Sequence, residues 1–217
     1  MIYTKDDIAF IGPLITPSNV IKYYRMGAFP WQSDPFPIWW SPRERFVLKP
    51  DNIYINRTLR KFLKKSDCFK IKYDTAFSSV INMCKNTRDD TWITEEFITT
   101  YTKLNKMGYA HSVEVYYNNK LVGGLYGISL GKIFFGESMF HTMENTSKLA
   151  FVNLALNLKR LGFILIDCQV YTDTFKSFGA FFISRSEFEK IILINNEFET
   201  IKGRWAPPLF QDSICLL

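Results

Sequence analysis

Phe134 to Gln169 reads FFGESMFHTMENTSKLAFVNLALNLKRLGFILIDCQ. An apolar run, Ile133 to Phe135, stops at Gly136 and carries a carboxylate, Glu137, toward a second apolar group, Met139 and Phe140. A polar turn follows, then a segment from Ser147 to Leu161 with apolar residues at helical spacing, then Gly162 as a stop. A second apolar run, Phe163 to Ile166, ends in Asp167, Cys168 and Gln169. The reading is strand, helix, strand. If Ile166 to Val170 is extended, side chains alternate, so Asp167 and Gln169 share one face and Cys168 looks the other way. An acid and an amide turned inward are costly unless paired or hydrogen-bonded. An internal polar network would satisfy them, and so would a functional site. Glu137 ends the neighbouring apolar run in the same way, which favours a site.

At 217 residues and 47% hydrophobic composition, the chain is long enough for one sizeable core. It begins MIYTKDDIAF, with no basic stretch leading into an apolar one, so no secretory signal is read. The longest uncharged apolar stretch, Leu121 to Gly131, is too short to span a bilayer. The cysteines (Cys68, Cys84, Cys168, Cys215) form no C-x-x-C and have only two histidines for company, which supports neither a zinc site nor a disulfide framework. A cytoplasmic protein with no membrane segment and no metal is expected. The net charge of +6 suits a polyanionic partner.

Working outward, Thr16-Pro17 opens a short helix stopped by Gly27, with Val20, Ile21 and Tyr24 on its apolar side. Phe29 to Arg45 reads FPWQSDPFPIWWSPRER. Prolines at that density exclude a helix and an interior strand, so an ordered loop packed by its own rings is expected. It either seals a core edge or walls an aromatic ligand. Phe46 to Leu48 is a short strand. Asn56 then caps a helix through Lys65, with Leu59, Phe62 and Leu63 inward and Arg57, Arg60, Lys61, Lys64 and Lys65 outward. No acid lies between Asp51 and Asp67, so this face is either merely solvated or a contact for a phosphate backbone.

Asp74 to Lys85 reads as a helix, Asn86 to Asp90 as a polar loop, and Thr94 as the cap of a helix running to Met107. His111–Tyr117, Lys120–Ser129 and Lys132–Met139 form an antiparallel meander, turned at Asn118-Asn119 and Leu130-Gly131. Gly123, Gly124 and Gly127 inside its second strand mark a bulge or a close approach of backbone to ligand. Beyond Gln169 come a helical turn (Thr172 to Ser177), a strand (Phe181 to Ile183) and a helix from Arg185 to Ile194 capped by Ser184. The class is α+β. Composition shifts at Arg43 to Arg45, which divides the chain into a small lobe at 1–45 and a main domain at 46–217.

With no G-x-x-x-x-G-K-[ST], no G-x-S-x-G and no histidine cluster, ATP, serine-hydrolase and metal mechanisms lack their parts. Glu137, Asp167 and Gln169 remain. A glycosidase-like pair of acids is conceivable. So is acyl transfer to an amine, which needs no nucleophilic residue if the donor is already activated.

Phe29-Pro30-Trp31, Trp39-Trp40-Ser41-Pro42, Thr91-Trp92-Ile93-Thr94, Gly108 to Ser112, Leu121 to Gly124, Phe135 to Phe140 and Ile166 to Gln169 occur in this order. Together they resemble the bacterial leucyl/phenylalanyl-tRNA–protein transferase family, over about Tyr23 to Phe188. The resemblance implies a GNAT-like acyltransferase domain with a central mixed, mostly antiparallel sheet behind a small N-terminal lobe. It implies transfer of Leu, Phe and, less well, Met from aminoacyl-tRNA to proteins beginning with Arg or Lys, marking them for degradation through the N-degron pathway. No cofactor or metal is implied, and the enzyme is expected as a monomer. Asp167 and Gln169 fall on the family's reaction-centre positions, and Trp31, Trp92 and Glu137 on positions around the aminoacyl-adenosine. Phe134, Met139 and Phe151 would form the pocket for an unbranched-at-Cβ side chain. Arg57, Arg60, Lys61, Lys64 and Lys65 would hold tRNA phosphates without reading sequence. Gln169, polarised by Asp167, would hold the acceptor amine, and Glu137 or Asp167 would attract the acceptor's basic side chain. Departures are a short N-terminal segment, His141-Thr142 where a serine and a basic residue are expected, and Ser184 in place of proline.

Two rivals carry distinct signatures. An acyl-coenzyme A transferase would need [RQ]-x-x-G-x-[GA] before the Ser147 helix, and none is found. A non-catalytic RNA-binding protein would use the basic helix and the tryptophans alone.

Overall fold

The structure is a computed structural model and describes residues 5–33, 36–87 and 91–214. Parts of the sequence reading that fall on 1–4, Pro35, Arg88 to Asp90 and Cys215 lie outside those residues. In chain order, β1 (Ile8–Ile11), α1 (Pro17–Tyr24), β2 (Phe29–Ser33) and β3 (Pro37–Trp40) come first. Then follow β4 (Glu44–Leu48), α2 (Arg57–Leu63), β5 (Phe69–Tyr73), α3 (Phe77–Asn86) and α4 (Glu95–Lys106). The meander is β6 (Ala110–Tyr117), β7 (Lys120–Leu130) and β8 (Ile133–His141). The chain continues through α5 (Thr146–Arg160), β9 (Leu165–Asp167), α6 (Asp173–Ser177), β10 (Phe181–Ser184) and α7 (Arg185–Asn195).

A small antiparallel sheet has the order β1-β3-β2, and a larger one β10-β4-β9-β8-β7-β6-β5. Neighbours in the larger sheet are antiparallel except β8 and β9, which are parallel and joined through α5. This is the α+β architecture with a central mixed, mostly antiparallel sheet that the resemblance implies. One apolar layer gathers residues of α1, α3, α4 and α7 with Trp39 of the small sheet, and the other gathers α2 and α5. Leu165 of β9 faces the first layer and Ile166 the second, so the strand is buried on both sides, as its unbroken apolar run requires.

Local signals fix many of the ends. Asn56 Oδ1 accepts the Leu59 N–H at 2.8 Å, and the Thr16, Thr94, Thr172 and Ser184 hydroxyls cap α1, α4, α6 and α7 in the same way. Asn118 and Asn119 turn β6 into β7 at positive φ (48° and 60°).

Two expectations need correction, and a third is settled between its alternatives. The proline-rich stretch forms strands, and β3 is the interior one of its sheet. Pro37 is tolerated there because it is the first residue of β3, and Pro30 because it lies in the edge strand β2. The extended run expected to Val170 ends at Asp167. The glycines of β7 admit protein and not ligand. A Cβ on Gly123 would stand 2.4 Å from Thr146 Oγ1, where α5 presses on the sheet, and Gly127 sits at the β7–β8 bulge against Phe135 O.

Candidate active site

β8 and β9 pair side by side as far as Phe135 and Asp167, where the ladder ends. Beyond that point Gly136 to Met139 and Asp167 to Val170 line a cavity of about 800 Å³. Separation of two parallel strands thus creates a hollow at the centre of the sheet, where β8 keeps its ladder with β7 and the chain after β9 stays bonded to β4, but the two no longer bond each other. Trp31, Ile38 and Trp92 wall it on the side of the first apolar layer, and Leu125, Phe134, Met139, Phe151, Ile166 and Phe175 on the other. Trp31, Trp92, Glu137, Phe134, Met139, Phe151, Asp167 and Gln169, all singled out in the sequence, are brought to this one cavity.

Glu137 is the polar centre. The Tyr24 hydroxyl donates to its Oε1 at 2.6 Å, the Tyr101 hydroxyl to Oε2 at 3.3 Å, and Gln169 Nε2 to Oε1 at 3.4 Å. The two tyrosine oxygens are 3.0 Å apart. Burial pushes the Glu137 carboxyl up to about 8, against the lowering effect of its donors, with the Asp167 charge adding to the rise. Burial first, then the charge of Glu137, pushes both tyrosines well above their ordinary range, so they stay protonated donors.

Asp167 behaves differently. Its side chain is fully buried and takes a bidentate ion pair from Arg45, Nε to Oδ1 at 2.8 Å and Nη2 to Oδ2 at 2.6 Å. Oδ1 also accepts the backbone N–H of Gln169 at 2.9 Å. The side-chain amide of Gln169 is therefore held by Glu137, and Asp167 reaches Gln169 through its backbone, a different link from the side-chain polarisation expected. Cys168, expected to face away, packs with Ile166 in the second apolar layer yet also touches the cavity. Its thiol is pushed well up by burial, so no thiolate nucleophile is available.

The basic residues of α2 are exposed and outside the cavity. Asn56 and Thr58 share a small groove with Asn145 and Lys148 at the start of α5 and with Ser177 and Phe178 at the end of α6, while Thr172 and Phe175 line the cavity. No cluster of three or more His, Cys, Asp or Glu that could hold a metal ion occurs among the described residues, and none of their helices is long and apolar enough to cross a membrane.

The family model for leucyl/phenylalanyl-tRNA protein transferase matches residues 47–193, from within β4 to within α7. The chain belongs to this family. A leucyl/phenylalanyl-tRNA–protein transferase of Legionella pneumophila (strain Corby) is 46% identical over 206 residues, covering 93% of this chain and 92% of its own. One of Saccharophagus degradans is 47% identical over 186 residues, covering 84% and 76%. An aminoglycoside acetyltransferase from an uncultured soil sample, 13% identical, covers 65% of this chain and 98% of its own at a TM-score of 0.39, too loose to bear on the site.

Within this transferase, three site residues escaped the sequence reading. Tyr24 was taken as core, although a buried tyrosine hydroxyl needs a partner. Tyr101 gave no signal beyond the apolar face of α4. Arg45 did give one: in β4 it shares a face with buried Val47, and an arginine turned inward calls for an acid.

Proposed function

We propose that the chain transfers Leu or Phe, and Met less well, from aminoacyl-tRNA to the N-terminal amine of proteins beginning with Arg or Lys, marking them for degradation. It would work as a cytoplasmic monomer. The observation that carries the reading is the cavity between β8 and β9, with aromatic walls and the Glu137–Gln169 pair inside. Trp31 or Trp92 would stack on the terminal adenine. Phe134, Met139 and Phe151 would receive an apolar side chain unbranched at Cβ.

The aminoacyl ester is already activated, so the site has only to orient and deprotonate an amine. With Nε2 donating to Glu137, the oxygen of the Gln169 amide accepts an N–H of the acceptor. The amine nitrogen attacks the ester carbonyl, the carbon–nitrogen bond forms, and the carbon–oxygen bond to the ribose breaks. The proton leaves through Gln169 or a ribose hydroxyl to the departing oxygen. Because Arg45 occupies Asp167, Glu137 is the acid left to meet a basic acceptor side chain. A cation entering there would draw the Glu137 proton off, since an opposite charge favours the ionised form. The exposed basic side chains of α2 would rest on acceptor-stem phosphates.

Labelled Phe-tRNA mixed with an Arg-initiated peptide gives labelled peptide if this is right. Gln169→Ala and Asp167→Asn should each lower the turnover about 100-fold with tRNA binding kept. Wild-type protein that forms no labelled peptide, or that turns over acetyl-coenzyme A instead, would sink the reading.

A further inference from the structure

We propose that Arg45 is a positioning residue for the transfer step: it fixes Asp167, and Asp167 fixes the backbone turn that aims Gln169 into the cavity. This rests on the transfer reading above and adds a residue to it. Gln169 has φ 59°, and the N–H after it, on Val170, bonds to the Cys168 carbonyl at 2.6 Å. That is a γ-turn in its positive-φ form, the rare and strained one. Such a turn persists only when its surroundings over-determine it. The Gln169 N–H lies on Asp167 Oδ1 (2.9 Å), the same oxygen that Arg45 Nε holds at 2.8 Å. The Arg45 guanidinium is itself confined between two rings, 4.5 Å from Phe29 and 4.6 Å from Phe188. Rings, guanidinium, carboxylate, peptide N–H and amide thus form one continuous chain of contacts ending at Glu137. A buried ion pair is weak support for stability, and apolar replacement of both partners is often tolerated. Positioning is the use that these contacts fit.

Lysine keeps the charge but lacks the planar fork. In a steady-state assay with Phe-tRNA and Arg-initiated peptide, Arg45→Lys should lower kcat about 100-fold, with KM for Phe-tRNA and the melting temperature close to wild type. The double variant Arg45→Met/Asp167→Leu, which restores an apolar interior without the clamp, should melt cooperatively and be equally slow. Either variant turning over within about threefold of wild type would overturn the proposal. So would failure of both to fold, which would give the pair to stability alone. Wild-type protein in the same assay separates the two readings: if it transfers no Phe, the transfer reading fails, whatever the variants do.

Discussion

Glu137 illustrates how burial sets a residue's charge. Its carboxyl holds a proton more tightly in the folded than in the unfolded chain, because its pKa rises from 4.5 to about 8. Between those values the native state binds more protons, so the contribution of Glu137 to stability is fully present below about 4.5, is lost as pH rises, and is gone above about 8. Glu114, also pushed up by burial, adds a slope of the same sign. The difference between wild type and Glu137→Gln isolates Glu137: melting temperatures taken from pH 5 to 9 should fall more steeply for wild type, and parallel curves would contradict the assignment. Part of this was legible beforehand. A carboxylate between apolar groups in the Phe134–Phe140 run announces a buried acid, but the two-residue period expected through Val170 breaks after Asp167, and Gln169 reaches the cavity through its turn. The partners were not legible, because Tyr24 and Arg45 meet their acids across 113 and 122 residues of chain. Nor does a glutamine in an apolar run declare that it will adopt a positive φ.

Secondary elements were easier to read where a cap or a turn residue states the rule. The asparagine at position 56 is such a case, and Asn56→Ala should cost α2 about 1 kcal/mol by denaturant midpoint. The β7 glycines were read as a bulge or a ligand approach, and the bulge holds at Gly127, while the approach is made by protein, which sequence alone could not tell. Gly123→Ala would bring a methyl group into Thr146 at 2.4 Å, at the first turn of α5. We expect a loss of about 2 kcal/mol or more in urea unfolding; a variant as stable as wild type would mean that α5 can shift along the sheet. The proline-rich stretch was misjudged for a positional reason. A proline is excluded from the inside of a strand but not from its first residue or a sheet edge, and neither position can be known before the sheet is assembled.

At the scale of the whole molecule, charge and cavity lie on separate surfaces. Replacing Arg60, Lys61 and Lys64 with glutamine should weaken aminoacyl-tRNA binding and lower the slope of log K against log salt by about 2 to 3. Turnover at saturating tRNA should hardly change. Unaltered binding would refute α2 as the docking face and leave the chemistry untouched. Composition stands behind this proposal: a surplus of +6 suits a polyanion, and five basic residues lie between Asp51 and Asp67 without an acid among them.

The parting of β8 from β9 has a further consequence. The hollow contains no structure of its own; its acid comes from β8 and is held from behind by hydroxyls of α1 and α4, and its amide comes from the turn after β9. A partly loosened protein could retain every helix and still lose the registry among these four. Heat inactivation should therefore follow the near-ultraviolet signal of the aromatic side chains, and not the far-ultraviolet signal of the backbone, wherever the two diverge.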